Sequence, residues 1–180
     1  MHTVNKILQH LFLMCIVAAV FSAAAQSNSD YRLGSGDKIK ITVFGQQDLS
    51  IETLLNDKGT IDYPFLGQVQ AAGKTPEEFQ HLIHNGLKGD YLVNPTVSVS
   101  IVEYRPFFID GEVENPGAYP FQPGLTINKA SALAGGYTER ASLSKIFIIR
   151  SNDPDQKSIN IDSNALLQPG DIVTVKQSYF

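Results

Sequence analysis

Proline and glycine residues break the regular structure of residues 111–136 at several positions, and the order of these breaks constrains the fold more than any other feature of the chain. A strand-like run precedes a turn, a short extended piece ends at a second proline–glycine break, and a small helix begins at Thr126. The turn contains Asn115, Pro116 and Gly117, and the helix stops at Gly135 and Gly136. Because tight turns and helix ends favour left-handed backbone, we expect positive φ at Gly117 and Gly136.

The chain before this segment predicts a small domain of strands around one helix. The predicted elements are strands at 38–44, 60–69 and 96–102 and a helix at 74–88. Gly36 and Asp37 form the turn that leads into the first strand, in which apolar residues occupy every second position. Thr75 is the expected N-cap of the helix, whose first turn carries two glutamates, as the helix dipole favours.

The C-terminal part of the chain predicts a second small domain of the same class. Strands at 145–150 and 171–176 accompany the short helix that begins at Thr126. Residues 167–171, L-Q-P-G-D, lead into the last strand as residues 33–37, L-G-S-G-D, lead into the first. We interpret both as one local turn device and not as a duplicated domain. The predicted fold class is α+β, with mixed domains at 26–105 and 106–180.

Residues 1–25 have the layout of a signal peptide. A weakly basic start precedes an apolar run, and small residues up to Ala25 suit a signal peptidase that cleaves before Gln26. The run is shorter than the about 20 residues of a membrane span, which leaves an uncleaved anchor as the weaker alternative. Lipidation at Cys15 is not expected, because the bulky Met14 precedes it. We predict an exported protein whose mature chain begins at Gln26.

The mature chain is acidic and has no cysteine. Removing residues 1–25 takes away one lysine and the single cysteine, so the formal net charge changes from −4 to −5. Disulfides and zinc–thiolate sites are therefore excluded from the mature protein. A net acidic chain without a basic run also argues against nucleic acid as a partner.

A glycine-rich turn and a histidine pair could each suggest a ligand. Residues 34–36 precede a strand, whereas a phosphate loop follows a strand and opens a helix, so we interpret them as a plain turn. His81 and His84 lie three apart on the predicted helix, away from its apolar face, and no further mature histidine supports them. We expect a solvated helix face there and predict neither a metal nor a cofactor.

Carboxylate and aromatic groups have similarly plain interpretations. Asp110, Glu112 and Glu114 alternate along a predicted strand, and glycosidic chemistry would need one of them to have a raised pKa. A solubilising edge is the expected role, and no catalytic residue is predicted. Aromatic residues beside the strands could stack on sugar rings, although core positions are the commoner role. This aromatic set is Tyr63, Phe65, Tyr104, Phe107, Phe108, Tyr119 and Phe121.

Two of these segments together resemble a known family. Residues 31–44, Y-R-L-G-S-G-D-K-I-K-I-T-V-F, resemble the opening of the polysaccharide-export domain, and residues 111–136 resemble the SLBB domain, a β-grasp module. In this order they resemble the outer-membrane polysaccharide export family over residues 30–176. The resemblance implies that the matching residues determine the fold. These residues are Gly36, Asp37, Asn115, Pro116, Gly117, Gly135 and Gly136.

The resemblance implies a component of a capsule or exopolysaccharide export conduit, and not an enzyme. Members form rings at and below the bacterial outer membrane, so the expected assembly is a homo-oligomeric periplasmic ring through which polysaccharide passes. Larger members add SLBB repeats and a membrane-crossing C-terminal helix, whereas four residues follow Lys176 here. We therefore expect a short member that works with a separate outer-membrane pore protein and an inner-membrane polysaccharide co-polymerase. The alternative is a secreted soluble-ligand or carbohydrate-binding module without a conduit role.

Overall fold

The structure, a computed structural model, describes residues 31–178. The predicted signal peptide, with Ala25, Gln26 and Cys15, lies outside the described residues. The described chain contains helices together with antiparallel and mixed β-sheets, which confirms the predicted α+β class. None of its helices is both long enough and apolar enough to span a bilayer.

A three-stranded antiparallel sheet, a hairpin and one helix form the N-terminal half of the described chain. The sheet has the order β2-β1-β5, from β1 (Lys38–Val43), β2 (Ile51–Leu54) and β5 (Val97–Glu103). The hairpin pairs β3 (Thr60–Tyr63) with β4 (Gly67–Gln70), the helix is α1 (Pro76–Leu87), and a 3₁₀ turn (Gln47–Leu49) joins β1 to β2. The strand and helix predicted at 38–44 and 74–88 are thereby confirmed.

Period-two and helical patterns explain the core of this half. The apolar positions of β1 are buried, and so is the α1 stripe formed by Phe79, Ile83 and Leu87. Each such side chain contributes about 1.5–3 kcal/mol relative to an exposed one. Thr75 caps α1 as predicted: its hydroxyl accepts from the N–H of Glu78 at 3.1 Å, and its own N–H donates to the Glu78 carboxylate at 2.9 Å. This reciprocal pair fixes the start of α1.

A five-stranded mixed sheet packed against one short helix forms the C-terminal half. The helix is α2 (Ile127–Leu133), and the strands are β6 (Phe107–Gly111), β7 (Gly117–Tyr119), β8 (Ala141–Ile149), β9 (Ser158–Asn160) and β10 (Ile172–Gln177). Their order is β7-β6-β10-β8-β9, with only β6 and β10 parallel within this sheet. Ile127 and Ala130 of α2 share one buried cluster with Phe107, Ile146 and Val173. The arrangement is consistent with a β-grasp-like fold.

The prediction of positive φ at Gly117 is wrong. Gly117 begins β7, where it pairs with Ile109 in ordinary extended backbone, because the chain after Pro116 enters the strand directly. Before this turn, left-handed backbone is found at Gly111, with φ +82° at the end of β6. A Cβ there would lie 2.1 Å from the carbonyl oxygen of Val175, so only glycine allows this close strand pairing.

Candidate functional site

Asp37 lies fully buried at the turn before β1 and accepts hydrogen bonds from groups far apart in sequence. Its Oδ2 accepts from the hydroxyl of Tyr31 at 2.5 Å and from the N–H of Gly34 at 2.8 Å. Arg105 donates its backbone N–H to Oδ1 at 2.8 Å and its Nη1 to Oδ2 at 3.1 Å. Gly36, with φ +88°, makes this tight turn possible. These partners satisfy a carboxylate that would be strongly disfavoured if buried alone.

Asp171 has a similar environment at the turn before β10. It is fully buried, and its Oδ2 accepts from the N–H of Gln168 at 2.8 Å and from Nη1 of Arg150 at 2.6 Å. Its Oδ1 accepts from the N–H of Ser151 at 3.2 Å, and Gly170 has φ +81°. The predicted turn device is therefore present twice, as a buried aspartate held by backbone N–H groups and one arginine.

The two arginines were not predicted from the sequence. Each follows a strand that pairs antiparallel with the strand after its aspartate: β5 precedes Arg105 and pairs with β1, and β8 precedes Arg150 and pairs with β10. Arg105 and Asp37 are 68 residues apart, so strand pairing alone brings them together. The available signal was an arginine close to the end of each of two predicted strands: Arg150 is the last residue of the strand predicted at 145–150, and Arg105 lies three residues beyond the strand predicted at 96–102.

Arg105 also reaches the C-terminal half, so one side chain joins the two turns. Its Nη2 donates to Oγ of Ser151 at 3.3 Å. Glycines make room for it on two sides: a Cβ at Gly34 would lie 2.2 Å from Nη1 of Arg105, and a Cβ at Gly170 would lie 2.7 Å from its Nε. We call this group the junction cluster, which consists of Tyr31, Asp37, Arg105, Arg150, Ser151 and Asp171.

Aromatic contacts extend the junction cluster. Tyr31 packs edge-to-face on Tyr104 at 5.0 Å between ring centroids, and Tyr104 packs edge-to-face on Phe121 of the C-terminal half at 5.4 Å. The guanidinium of Arg105 lies 5.6 Å from the Tyr31 ring centroid. Burial, followed by the hydrogen bond to Asp37, raises the pKa of Tyr31 well above its ordinary value. The hydroxyl therefore remains a protonated donor to Asp37.

A cleft of about 300 Å³ opens beside the junction cluster and is lined partly by Arg105, Arg150, Ser151 and Asp153. Both guanidinium groups are already paired with buried aspartates. Within residues 31–178, no three histidine, cysteine or acidic side chains are grouped to hold a metal ion. The arrangement is suited to fixing one half of the chain against the other.

The predicted turn and helix-stop residues meet in a second cluster. Asn115 donates its N–H to the carbonyl oxygen of Ala134 at 2.8 Å, where α2 ends. Gly135 and Gly136 have φ +86° and +99°, which confirms the positive φ expected at Gly136. Gly136 donates to the carbonyl of Ser131 at 2.8 Å, a helix-ending bond of the Schellman motif. The Asn115–Pro116–Gly117 turn thus packs against the end of α2.

Two of the predicted polar groupings are arranged differently from the prediction. His84 is half-buried, with Nδ1 2.8 Å from the carbonyl oxygen of Pro95, so the expected solvated position is wrong for it, while His81 is exposed. The strand expected to carry three carboxylates ends at Gly111, because of the left-handed backbone there. Glu112 beyond that point accepts from the Thr138 hydroxyl at 2.6 Å. Asp110 and Glu114 are exposed.

The aromatic set divides between core and surface. Tyr63 and Phe107 are buried, as predicted for the commoner role. Tyr104, Tyr119 and Phe121 are half-buried, whereas Phe65 and Phe108 are exposed. The exposed members leave aromatic surface available to a ligand.

Comparisons with known proteins divide the chain at the junction cluster. Residues 25–102 match the family "Polysaccharide biosynthesis/export protein", and residues 106–162 match the SLBB domain. Arg105 lies between the two matched segments.

Relatives of this chain are named for polysaccharide production, export and transport. The chain is 34% identical over 140 residues to the exopolysaccharide production protein ExoF of Rhizobium meliloti (strain 1021), which covers 70% of this chain and 32% of the relative. It is 29% identical over 181 residues to the EPS I polysaccharide export outer membrane protein EpsA of Ralstonia nicotianae, and the alignment covers 82% of this chain and 47% of the relative. It is 30% identical over 128 residues to the polysialic acid transport protein KpsD of Escherichia coli, and the alignment covers 69% of this chain and 23% of the relative.

The chain spans less than half the length of each of these relatives. The matched part nevertheless contains both an export domain and an SLBB domain, in that order. With these two adjacent matches and relatives of this kind, the chain belongs to the polysaccharide biosynthesis/export protein family.

Proposed function

We propose that this protein is a component of a capsule or exopolysaccharide export conduit. The observation that carries the proposal is the succession of an export-family segment and an SLBB segment in one chain. The family is one of transport proteins and not a known enzyme family. We assign residues 26–105 to the export domain and 106–180 to the SLBB domain, with separate buried clusters in each.

The junction cluster supports this role physically. A subunit of a conduit must hold its domains at a fixed angle, because the shape of the passage depends on every subunit. Arg105 provides such a constraint by pairing with Asp37 in one domain and bonding to Ser151 in the other. A carbohydrate-binding module without a conduit role would not need this constraint, so the conduit is the better-supported function.

The partners and location are also proposals, and they follow from the resemblance to the family. We propose a homo-oligomeric ring in the periplasm, released by cleavage between Ala25 and Gln26, and associated with the outer membrane. A separate outer-membrane pore protein and an inner-membrane polysaccharide co-polymerase would complete the path of the polysaccharide. No residue of the described chain is assigned to catalysis, to a cofactor or to nucleic acid.

The decisive experiment is deletion of the gene, with complementation by the full chain. We expect surface polysaccharide to disappear while cytoplasmic or periplasmic polysaccharide accumulates, and complementation to restore export. Native mass spectrometry of the exported protein should give a closed homo-oligomer, and its intact mass should begin at Gln26. Unchanged surface polysaccharide in the deletion strain would contradict the proposed function, and a monomer with glycan affinity would favour the binding-module alternative.

A further inference from the structure

The N-terminal half has two ends, and the junction cluster occupies only one of them. Asp37 precedes β1, and Phe44 follows it at the other end of a strand about 20 Å long. Phe44 donates its N–H to the carbonyl oxygen of Thr96 at 3.0 Å, so the loop before β5 lies at the same end. We call this the distal end, formed by residues 44–49, 64–67 and 88–96.

Exposed apolar side chains concentrate in the loops of the distal end. Phe65 at the tip of the β3–β4 hairpin is 66% exposed, and Tyr91 and Val93 in the loop after α1 are 46% and 92% exposed. Phe44 is exposed as well. Of the six large apolar side chains that are exposed in this half of the described chain, four lie at the distal end, and the other two, Leu54 and Val102, lie on the edge strands β2 and β5. This grouping in the loops suggests a binding surface.

Phe65 and Tyr91 form a stacked pair with a fixed geometry. Their ring centroids are 5.0 Å apart with an interplanar angle of 29°, and the Tyr91 hydroxyl donates to the carbonyl oxygen of Phe65 at 3.3 Å. Phe65 has φ +64°, an uncommon conformation for an aromatic residue that is typically retained where it positions a functional group. Tyr91 covers one face of the Phe65 ring, so the exposed surface includes the other face.

A free aromatic face is chemically complementary to a sugar ring. The π face carries negative charge density, and a pyranose presents the polarised C–H bonds of its ring face to it. Exposed amide side chains, which can bond sugar hydroxyls, lie in or next to the same loops at Gln46, Gln68 and Asn94. We propose that the Phe65–Tyr91 pair is a glycan-stacking site that holds one pyranose ring of the polysaccharide chain. This inference rests on the proposed export function.

The Phe65–Tyr91 pair by itself has the size of a sugar-ring site and not of an interface with a protein partner or a second copy of this chain. Two aromatic side chains bury at most about 150–250 Å² each, well below the roughly 800 Å² per partner of a stable protein interface. The stacking of a sugar ring on an aromatic face does not require one exact orientation, so successive sugars can bind and leave. Transport requires contacts of this weak, repeated kind.

Binding of defined oligosaccharides to the purified mature chain tests the site. We would titrate the ¹⁵N-labelled protein with cellohexaose, and with sorbitol as a probe that has hydroxyls but no ring face. The expected result is millimolar binding of cellohexaose, with amide shifts confined to residues near Phe65 and Tyr91, and none with sorbitol. No such shifts with cellohexaose, or equal shifts with sorbitol, would overturn the proposal.

Substitutions at Phe65 separate stacking from folding. Phe65→Gly suits the left-handed backbone and should keep the fold while weakening cellohexaose binding by about tenfold or more. Phe65→Trp should retain binding, and Phe108→Ala, which removes an exposed ring from the other half, should leave it unchanged. If Phe65→Gly binds cellohexaose as well as the unaltered chain does, the pair is not a stacking site. If the amide shifts depend on the protein concentration and not on the cellohexaose concentration, the pair has another role.

The binding assay is independent of the export assay. If deletion of the gene abolishes export but Phe65→Gly binds cellohexaose normally, the conduit function stands and the stacking site fails. If the pair binds cellohexaose but deletion leaves export intact, the site stands and the conduit function fails.

Discussion

Replacing Arg105 with methionine tests whether one side chain couples the two domains. Methionine keeps an apolar stem of similar length and removes the guanidinium. Asp37 then loses its only ionic partner within the described chain, and the contact to Ser151 disappears. We expect lower stability together with a looser arrangement of the domains.

The magnitude follows from the burial of the pair. The Asp37 side chain is 0% exposed and that of Arg105 is 19% exposed, so this pair is not a solvent-screened surface pair. Breaking a buried ion pair by removing one partner costs about 3–5 kcal/mol. Asp37 keeps its hydrogen bonds from Tyr31 and the two backbone N–H groups, so we expect the lower end, about 3 kcal/mol. For a chain of this size, that corresponds to a Tm lower by about 6–12 °C.

Urea denaturation and small-angle X-ray scattering measure the two effects separately. Arg150→Met is the matched control, because Arg150 pairs with Asp171 within the C-terminal half and its side chain is 24% exposed. Both variants should be destabilised, but only Arg105→Met should broaden the scattering-derived distribution of interdomain distances. A loss of less than about 1 kcal/mol in Arg105→Met, or equal broadening in the control, would refute the coupling role.

Four other substitutions test particular features of the fold. Gly111→Val should cost more than about 3 kcal/mol in urea denaturation because of φ +82° and the clash with the neighbouring strand, whereas Gly117→Val should cost less than about 1 kcal/mol. Tyr137→Phe should raise the Tm, because its buried hydroxyl has no hydrogen-bond partner in the described chain. The hydrogen bond from Thr75 N–H lowers the pKa of Glu78 below its ordinary value, so the stabilisation is fully present above the pKa of the unfolded state and is lost as pH falls through the lowered pKa of the folded state. Glu78→Gln should therefore flatten the acid limb of a stability–pH profile.

Elements with a strong periodic pattern could be predicted from the sequence, whereas two of the short edge strands could not. The alternation in β1 and the capped stripe of α1 each carry enough residues to define a buried face. β2 and β9 were missed, because they are four and three residues long and lie at sheet edges. Their existence depends on hydrogen bonds from a neighbouring strand, which local sequence does not encode.

The same limit explains the errors at the candidate site. The glycine–aspartate turns were predictable because each is local, with the N–H of Gly34 or Gln168 three residues from its aspartate. The partners Arg105 and Arg150 depend on which strands pair, and one sequence does not reveal the pairing. The turn at Gly117 suggested left-handed backbone from composition alone, whereas the close approach of β6 and β10 places it at Gly111.

The junction cluster and the Phe65–Tyr91 pair lie at opposite ends of the export domain, which leads to a prediction about their coupling. Under the proposed function, Arg105 does not contact the sugar, but it sets the direction in which the export domain extends from the SLBB domain. Arg105→Met should therefore bind cellohexaose as the unaltered chain does, because β1 and the distal loops do not depend on the guanidinium. Export in cells at matched protein levels should nevertheless fall, because misdirected subunits would not align their stacking sites along one passage. Normal export by Arg105→Met with a demonstrably loosened junction would show that the conduit tolerates variable domain angles.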